Sequence, residues 1–173
     1  QELAELRFLV ETFYDLQKLR IEAGNRVGAL VRSGGDADRL KQLSDWVDER
    51  LAKHEGEVKL MVQNRIRKHP LWAEWLKGVK GVGPCIAGGL ISWIGDIGRF
   101  ETVSALWSYC GLAVHDGEIQ KRKKGEKANW NPNLKLLAWK AATSFVRVGK
   151  GYRELYLQSK EKYQQAHPEP MPY

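Results

Sequence analysis

The stretch Leu76-Lys77-Gly78-Val79-Lys80-Gly81-Val82-Gly83-Pro84-Cys85-Ile86-Ala87-Gly88-Gly89-Leu90 decides how the chain folds. Leu71 to Val79 has the spacing of a short helix, and Cys85 to Ile94 reads as a second one. Between them stands a Gly-Val-Gly turn, closed by Pro84, a residue suited to the first position of a helix. An apolar residue before the turn (Val79), glycines on either side of Val82 and a small residue early in the second helix (Ala87) form the pattern of a helix-hairpin-helix. Gly81 and Gly83 tolerate backbone angles that other residues resist, and no side chain shields their amides. With the N-terminus of the next helix, those N–H groups make a concave donor site for a phosphate. Lys77 and Lys80 add positive charge, and Ala87 lets the two helices approach closely. The plainer reading of the same residues is a glycine cap between two packed helices, with no ligand.

Upstream, Leu3, Leu6, Val10, Phe13, Leu16, Leu19, Ala23, Val27 and Leu30 recur in steps of three and four, one face of an amphipathic helix. Ser33-Gly34-Gly35-Asp36 interrupts the pattern, with Asp36 placed to cap a second helix. Leu40, Leu43, Val47, Leu51, Val58, Met61 (or Val62) and Ile66 carry that helix to about Lys68, where His69-Pro70 ends it. Two long helices joined by a short glycine turn are expected to fold back as an antiparallel coiled-coil hairpin over residues 1–69. Its polar face mixes both signs of charge, which suits a spacer or an oligomerisation arm better than catalysis.

Downstream, Gly95-Asp96-Ile97-Gly98-Arg99 reads as a loop and Thr102 to Tyr109 as a short helix closed by Gly111. Asp96 and Glu101 are candidates for a metal site, but capping at the positive end of a helix explains them more simply. Residues 112–132 show no helical period, with strand alternation only at Ala113-Val114 and Glu118-Ile119. They contain Lys121-Arg122-Lys123-Lys124 and Lys127, five cations beside Trp130. Adjacent like charges repel, so this run is expected as an exposed loop suited to phosphates, with Trp130 available to stack on an unpaired base. Asn133 to Val148 and Tyr152 to Ala166 read as two more helices. Leu134, Leu137, Ala138, Ala141, Phe145 and Val148 are expected inside, covered by Tyr152, Leu155 and Tyr156. Trp72, Trp75, Trp93, Trp107 and Trp139 are expected in the core. The fold class is all-α: the hairpin over 1–69, a compact helical domain over 70–166, and a Pro-rich tail over 167–173.

Composition narrows the partner. The chain has 173 residues, with 28 Lys and Arg against 21 Asp and Glu, a formal net charge of +7. A pI near 9.4 favours a polyanion, nucleic acid before an anionic membrane. Cys85 and Cys110 form no CxxC pair, so a zinc ribbon is unsupported and a reduced, cytoplasmic protein is the simple expectation. No apolar run approaches the roughly 18 residues a membrane span requires. Gln1 opens in mid-pattern, so residues upstream of it are expected.

Further residues carry a resemblance. Ile94-Gly95-Asp96-Ile97-Gly98-Arg99-Phe100, Ser104-Ala105-Leu106, Tyr109-Cys110-Gly111-Leu112 and Asn133-Leu134-Lys135 follow the turn in order. Over roughly residues 71–165 the chain resembles the C-terminal domain of insertion-sequence transposases of the one-ten/one-sixteen type. The resemblance implies a DNA-binding part of a transposase, and the residues read above, Lys77, Lys80, Gly81, Val82, Gly83, Lys121, Arg122, Lys123, Lys124 and Lys127, are those expected to grip the backbone. It implies DNA and a structured guide-type RNA as partners, homo-oligomers formed through the coiled coil, and a nucleoid-associated location. Mg2+ is implied only for a RuvC-like domain upstream, with no cofactor in this chain. The family's serine nucleophile falls on Asp116, whose carboxylate cannot form a phosphoserine linkage. The other readings are a stand-alone, non-catalytic helix-hairpin-helix DNA-binding protein and a coiled-coil interaction module.

Overall fold

Apolar residues three and four apart build α1 (Glu2–Arg32) and α2 (Ala37–Ile66), 31 and 30 residues long. The computed structural model describes residues 1–115, 117–121, 124–149 and 151–168, without the side chain of His115. The two helices lie antiparallel: Arg65 pairs with Glu5 near one end, and Arg20 with Asp48 and Glu55 further along. At 1.5 Å per residue each is about 45 Å long. Asp36 caps α2, its Oδ1 accepting the N–H groups of Asp38 and Arg39, both at 3.1 Å.

The seam between them departs from the expected one. Leu43 and Met61 are exposed, Ser44 is half-buried, and Val62 and Glu55 are buried. Spacing leaves the rotation of a helix open by about one residue, and packing decides it. Residue 55 falls on the seam between Leu51 and Val58, where the sequence offers no apolar side chain. The Arg20 guanidinium fills that gap by donating from Nε and Nη2 to the two Glu55 oxygens, with Nη1 reaching Asp48 at 3.2 Å. These carboxylates hold the Arg20 pKa above its ordinary value. Arg20→Ala leaves Glu55, only 8% exposed, without its partner. Urea unfolding should show a loss of about 1–3 kcal/mol, whereas the double change Arg20→Met, Glu55→Leu should be at least as stable as the original.

After Pro70 the chain makes a single π turn (Leu71–Trp75) and a 3-10 turn (Leu76–Gly78), not the continuous short helix expected. Trp72 and Leu76, four residues apart, both reach the core from these turns. Then come α3 (Pro84–Ile94), a 3-10 turn (Ile97–Arg99) and α4 (Val103–Tyr109). Asp96 Oδ1 accepts from Gly98 N–H at 2.8 Å, and Thr102 Oγ1 accepts from Ala105 N–H at 3.1 Å, capping α4. Glu101 lies before that helix, not in its first turn. A two-residue antiparallel ladder pairs β1 (Val114–His115) with β2 (Glu118–Ile119). Helix α5 (Pro132–Val148) starts one residue earlier than the spacing suggests, because Asn131 Oδ1 accepts from Asn133 and Leu134 N–H and so caps it. Helix α6 (Tyr152–Ala166) follows Gly149 and Gly151, both at positive φ. The architecture is all-α apart from the small ladder.

One buried cluster unites Leu6, Val10, Val62 and Ile66 of the hairpin with Trp72, Leu76, Ala87, Ile91, Trp93, Cys110, Leu134 and Leu137. The core therefore runs across residues 69 and 70. Helix α3 is its centre and touches α1, α2 and α5. Trp72 and Trp93 are buried as expected. Trp75, Trp107 and Trp139 are exposed, against expectation, because each lies on a helical face that no other element covers. Val148, Tyr152, Leu155 and Tyr156 are exposed as well, although the Phe145 and Tyr152 rings stack at 4.7 Å.

The close approach at α3 rests on two glycines. A Cβ at residue 88 would fall 2.9 Å from Val62 Cγ1 and 3.1 Å from Val10 Cγ2, and one at residue 89 would fall 2.8 Å from Leu137 Cδ2. Ala is favoured over Gly inside a helix by about 1 kcal/mol, but overpacking against stiff β-branched neighbours costs about 1–3 kcal/mol. Gly88→Ala should therefore be net destabilising in thermal or urea unfolding, and so should Gly89→Ala, whose Cβ would press on the buried Leu137 and Trp93.

Candidate nucleic-acid interface

The Gly81-Val82-Gly83 turn is fixed from inside and from below. Val82 N–H donates to Val79 O at 3.0 Å, and Ala87 N–H to Gly83 O at 3.0 Å. Gly81 sits at φ +95°, and its carbonyl accepts from Ser144 Oγ of α5 at 2.7 Å. A Cβ on Gly81 would fall 2.8 Å from Phe145 Cδ1, whereas one on Gly83 meets open space. Among the described residues, the N–H groups of Gly81, Gly83, Cys85 and Ile86 have no backbone acceptor outside regular helices. Lys77 and Lys80 are exposed beside the turn and carry no ion pair among the described residues.

The two glycines thus have different duties. Gly81→Ala adds positive-φ strain and a clash with Phe145, so it should cost about 1–3 kcal/mol in urea unfolding. Gly83→Ala should stay within about 0.5 kcal/mol of the original, which makes position 83 the cleaner probe of the exposed amides.

The basic loop is anchored to the other end of α5. Lys135 Nζ donates to the Gln120 carbonyl and lies 4.8 Å from the centre of the Trp130 ring. Trp130 is half-buried against Gly111, where an added Cβ would fall 2.5 Å from its Cε3. The indole expected to be a stacking platform therefore packs against the chain itself. Lys121, Lys124 and Lys127 are exposed. Lys121 lies 3.7 Å from Glu118, a solvent-screened pair of small worth. Arg122, Lys123 and Asp116 lie outside the described residues. Lys135 and Ser144, nine positions apart on α5, hold the loop and the turn roughly 14 Å from each other along the helix axis.

The turn opens into a groove of about 500 Å³ between the hairpin and α5. Its wall contains Lys59 of α2 and Lys140 and Arg147 of α5, none of them foreseen from the sequence. Residues 140, 143, 144 and 147 share one face of α5, a polar spacing the sequence does display. Lys59 gives no such signal, because only the tertiary fold carries α2 to this place. Burial lowers the Lys140 pKa from its ordinary value, raises that of the Tyr14 phenol, and pushes the Cys85 thiol up to about 12.

Residues 73–157 match the model of the transposase IS116/IS110/IS902 family. The chain carries a domain of that family. The matched range contains the turn, the basic loop, all of α5 and the first part of α6. Searches against curated proteins and solved structures return no match. The transposase domain gives the chain a role in DNA transposition. Among the described residues no helix is long and apolar enough to cross a membrane. Nor do three or more His, Cys, Asp or Glu groups gather there as they would to hold a metal.

Proposed function

We propose that this transposase chain binds DNA by its backbone, using a helix-hairpin-helix at Gly81-Val82-Gly83 and the basic loop at 121–127. The observation that carries this reading is the turn: amides without backbone acceptors at the head of an eleven-residue helix, flanked by two exposed lysines. Such a site binds phosphate oxygens and positions DNA without reading bases. Lys121, Arg122, Lys123, Lys124 and Lys127 add a second cationic surface. A structured RNA offers the same phosphates, so it competes with DNA for these surfaces. Pairing of two chains through the hairpin belongs to the same proposal and is supported by the exposed Leu43, Leu60 and Met61.

The second reading, a non-catalytic DNA-binding protein, is favoured by one residue. Asp116 occupies the position where the family's serine is expected, and a carboxylate cannot make a phosphoserine bond. Strand transfer through that position is accordingly not assigned to this chain.

Binding to duplex DNA should weaken steeply as salt rises. The double reversal Lys77→Glu, Lys80→Glu should lower affinity on every sequence and reduce the slope of log K against log salt by about 2. Fluorescence anisotropy over a salt series measures both. A slope equal to that of the unmodified protein would remove the turn from the phosphates.

A further inference from the structure

Four cations of the hairpin meet carboxylates: Arg20 with Glu55 and Asp48, Arg65 with Glu5, Lys18 and Arg26 with Glu22. Lys59, Lys140 and Arg147 line one cavity that no Asp or Glu lines, and among the described residues none of the three has an ion pair. Like charges brought together on separate elements repel unless an anion joins them. The cavity's size lies within the range of sites for small molecules and cofactors.

The aromatic content points to what the anion is attached to. Trp139 lines the same groove and is 65% exposed, an indole that the protein's own core leaves uncovered. Ser144 donates its hydroxyl to Gly81 O at 2.7 Å and Thr143 donates to Trp139 O at 2.9 Å. Their donor capacity is used, so each offers lone pairs. Cations, a free aromatic face and hydroxyl acceptors together match a phosphate, a base and a base edge.

We propose that the groove receives an unpaired nucleotide, with its phosphate among Lys59, Lys140 and Arg147 and its base stacked on Trp139. This rests on the reading that the adjacent turn holds a nucleic-acid strand. Gly83 and Pro84 line the groove as well as ending the turn, so a strand held at the amides continues directly into it. A base inside a duplex has both faces covered by its neighbours and cannot stack on an indole, which limits the groove to single-stranded or extruded nucleotides. Burial holds the Lys140 pKa below its ordinary value, and its Nζ lies 4.1 Å from the centre of the Tyr14 ring. The sign of the surface changes beyond the shared wall of Tyr14 and Lys140. A neighbouring cavity of about 260 Å³ is lined by Glu11 and Asp15, which repel phosphate and confine the strand to the basic side.

The test compares the full chain on a continuous duplex and on the same duplex with a short single-stranded gap, with 2-aminopurine in the gap as a stacking probe. The gapped substrate should bind about tenfold more tightly, and 2-aminopurine fluorescence should be quenched. Trp139→Ala, at an exposed site, should abolish the preference and the quenching while leaving duplex affinity and its salt slope unchanged. Lys140→Met and Arg147→Met should each lower the salt slope for the gapped substrate by about 1. Equal affinity for the two substrates, or a preference that survives Trp139→Ala, overturns the groove assignment and leaves the turn in place. Loss of all DNA binding at low salt overturns both. A mononucleotide that binds as tightly as the gapped strand overturns the assignment to a strand.

Discussion

Helix α3 touches the hairpin on one side and α5 on the other only because residues 88 and 89 carry no side chain. Val10 and Val62 press toward Gly88, and Leu137 toward Gly89, at distances that leave no room for a Cβ. The two contacts lie on successive residues, about 100° apart around the helix, so one short helix is gripped by both partners. The consequence reaches the site. With α3 wedged in place, its first turn lines a groove together with residues of α2 and α5, and cations from both helices line that groove.

The turn adds a second fixed point. Ser144 holds the Gly81 carbonyl and Phe145 packs beneath Gly81, so the amides at residues 81–83 are positioned by α5 and not only by their own loop. A turn assembled this way is organised before any ligand arrives, which lowers the ordering cost of the proposed phosphate binding. The net charge of +7 then acquires a direction. Lys18, Arg20, Arg26 and Arg65 of the hairpin have carboxylate partners, while Lys77, Lys80, Lys140 and Arg147 lie around the turn and groove without such partners among the described residues.

How much of this was readable beforehand depends on the range of the interaction. The helices, their caps at Asp36 and their breaks at Gly34, Gly95 and Gly149 follow from local chemistry. The tryptophans do not. Trp93 and Trp139 both occupy helical positions of apolar character, yet one is buried and the other exposed, because only one of the two faces meets another element. Glu55 lies in the seam with a counter-ion, Arg20, 35 positions away, a pairing beyond the reach of local spacing. The purpose of Gly88 and Gly89 shows only against Val62 and Leu137. Trp130 sits beside the cationic run in sequence, but Gly111 claims one of its faces.

The sequence by itself determined the all-α class, the long helical pair, the glycine turn with its flanking lysines, and the resemblance to a transposase domain. Each is written in spacings of a few residues, where backbone geometry and side-chain chemistry act locally. The tertiary structure decided which faces are buried, which cations keep a carboxylate partner, and that Lys59, Lys140, Arg147 and Trp139 share one groove. Those outcomes depend on distant residues being brought together, Leu6 and Leu137 in one cluster and Lys59 and Arg147 in one groove, and no local period records which distant face a helix will meet.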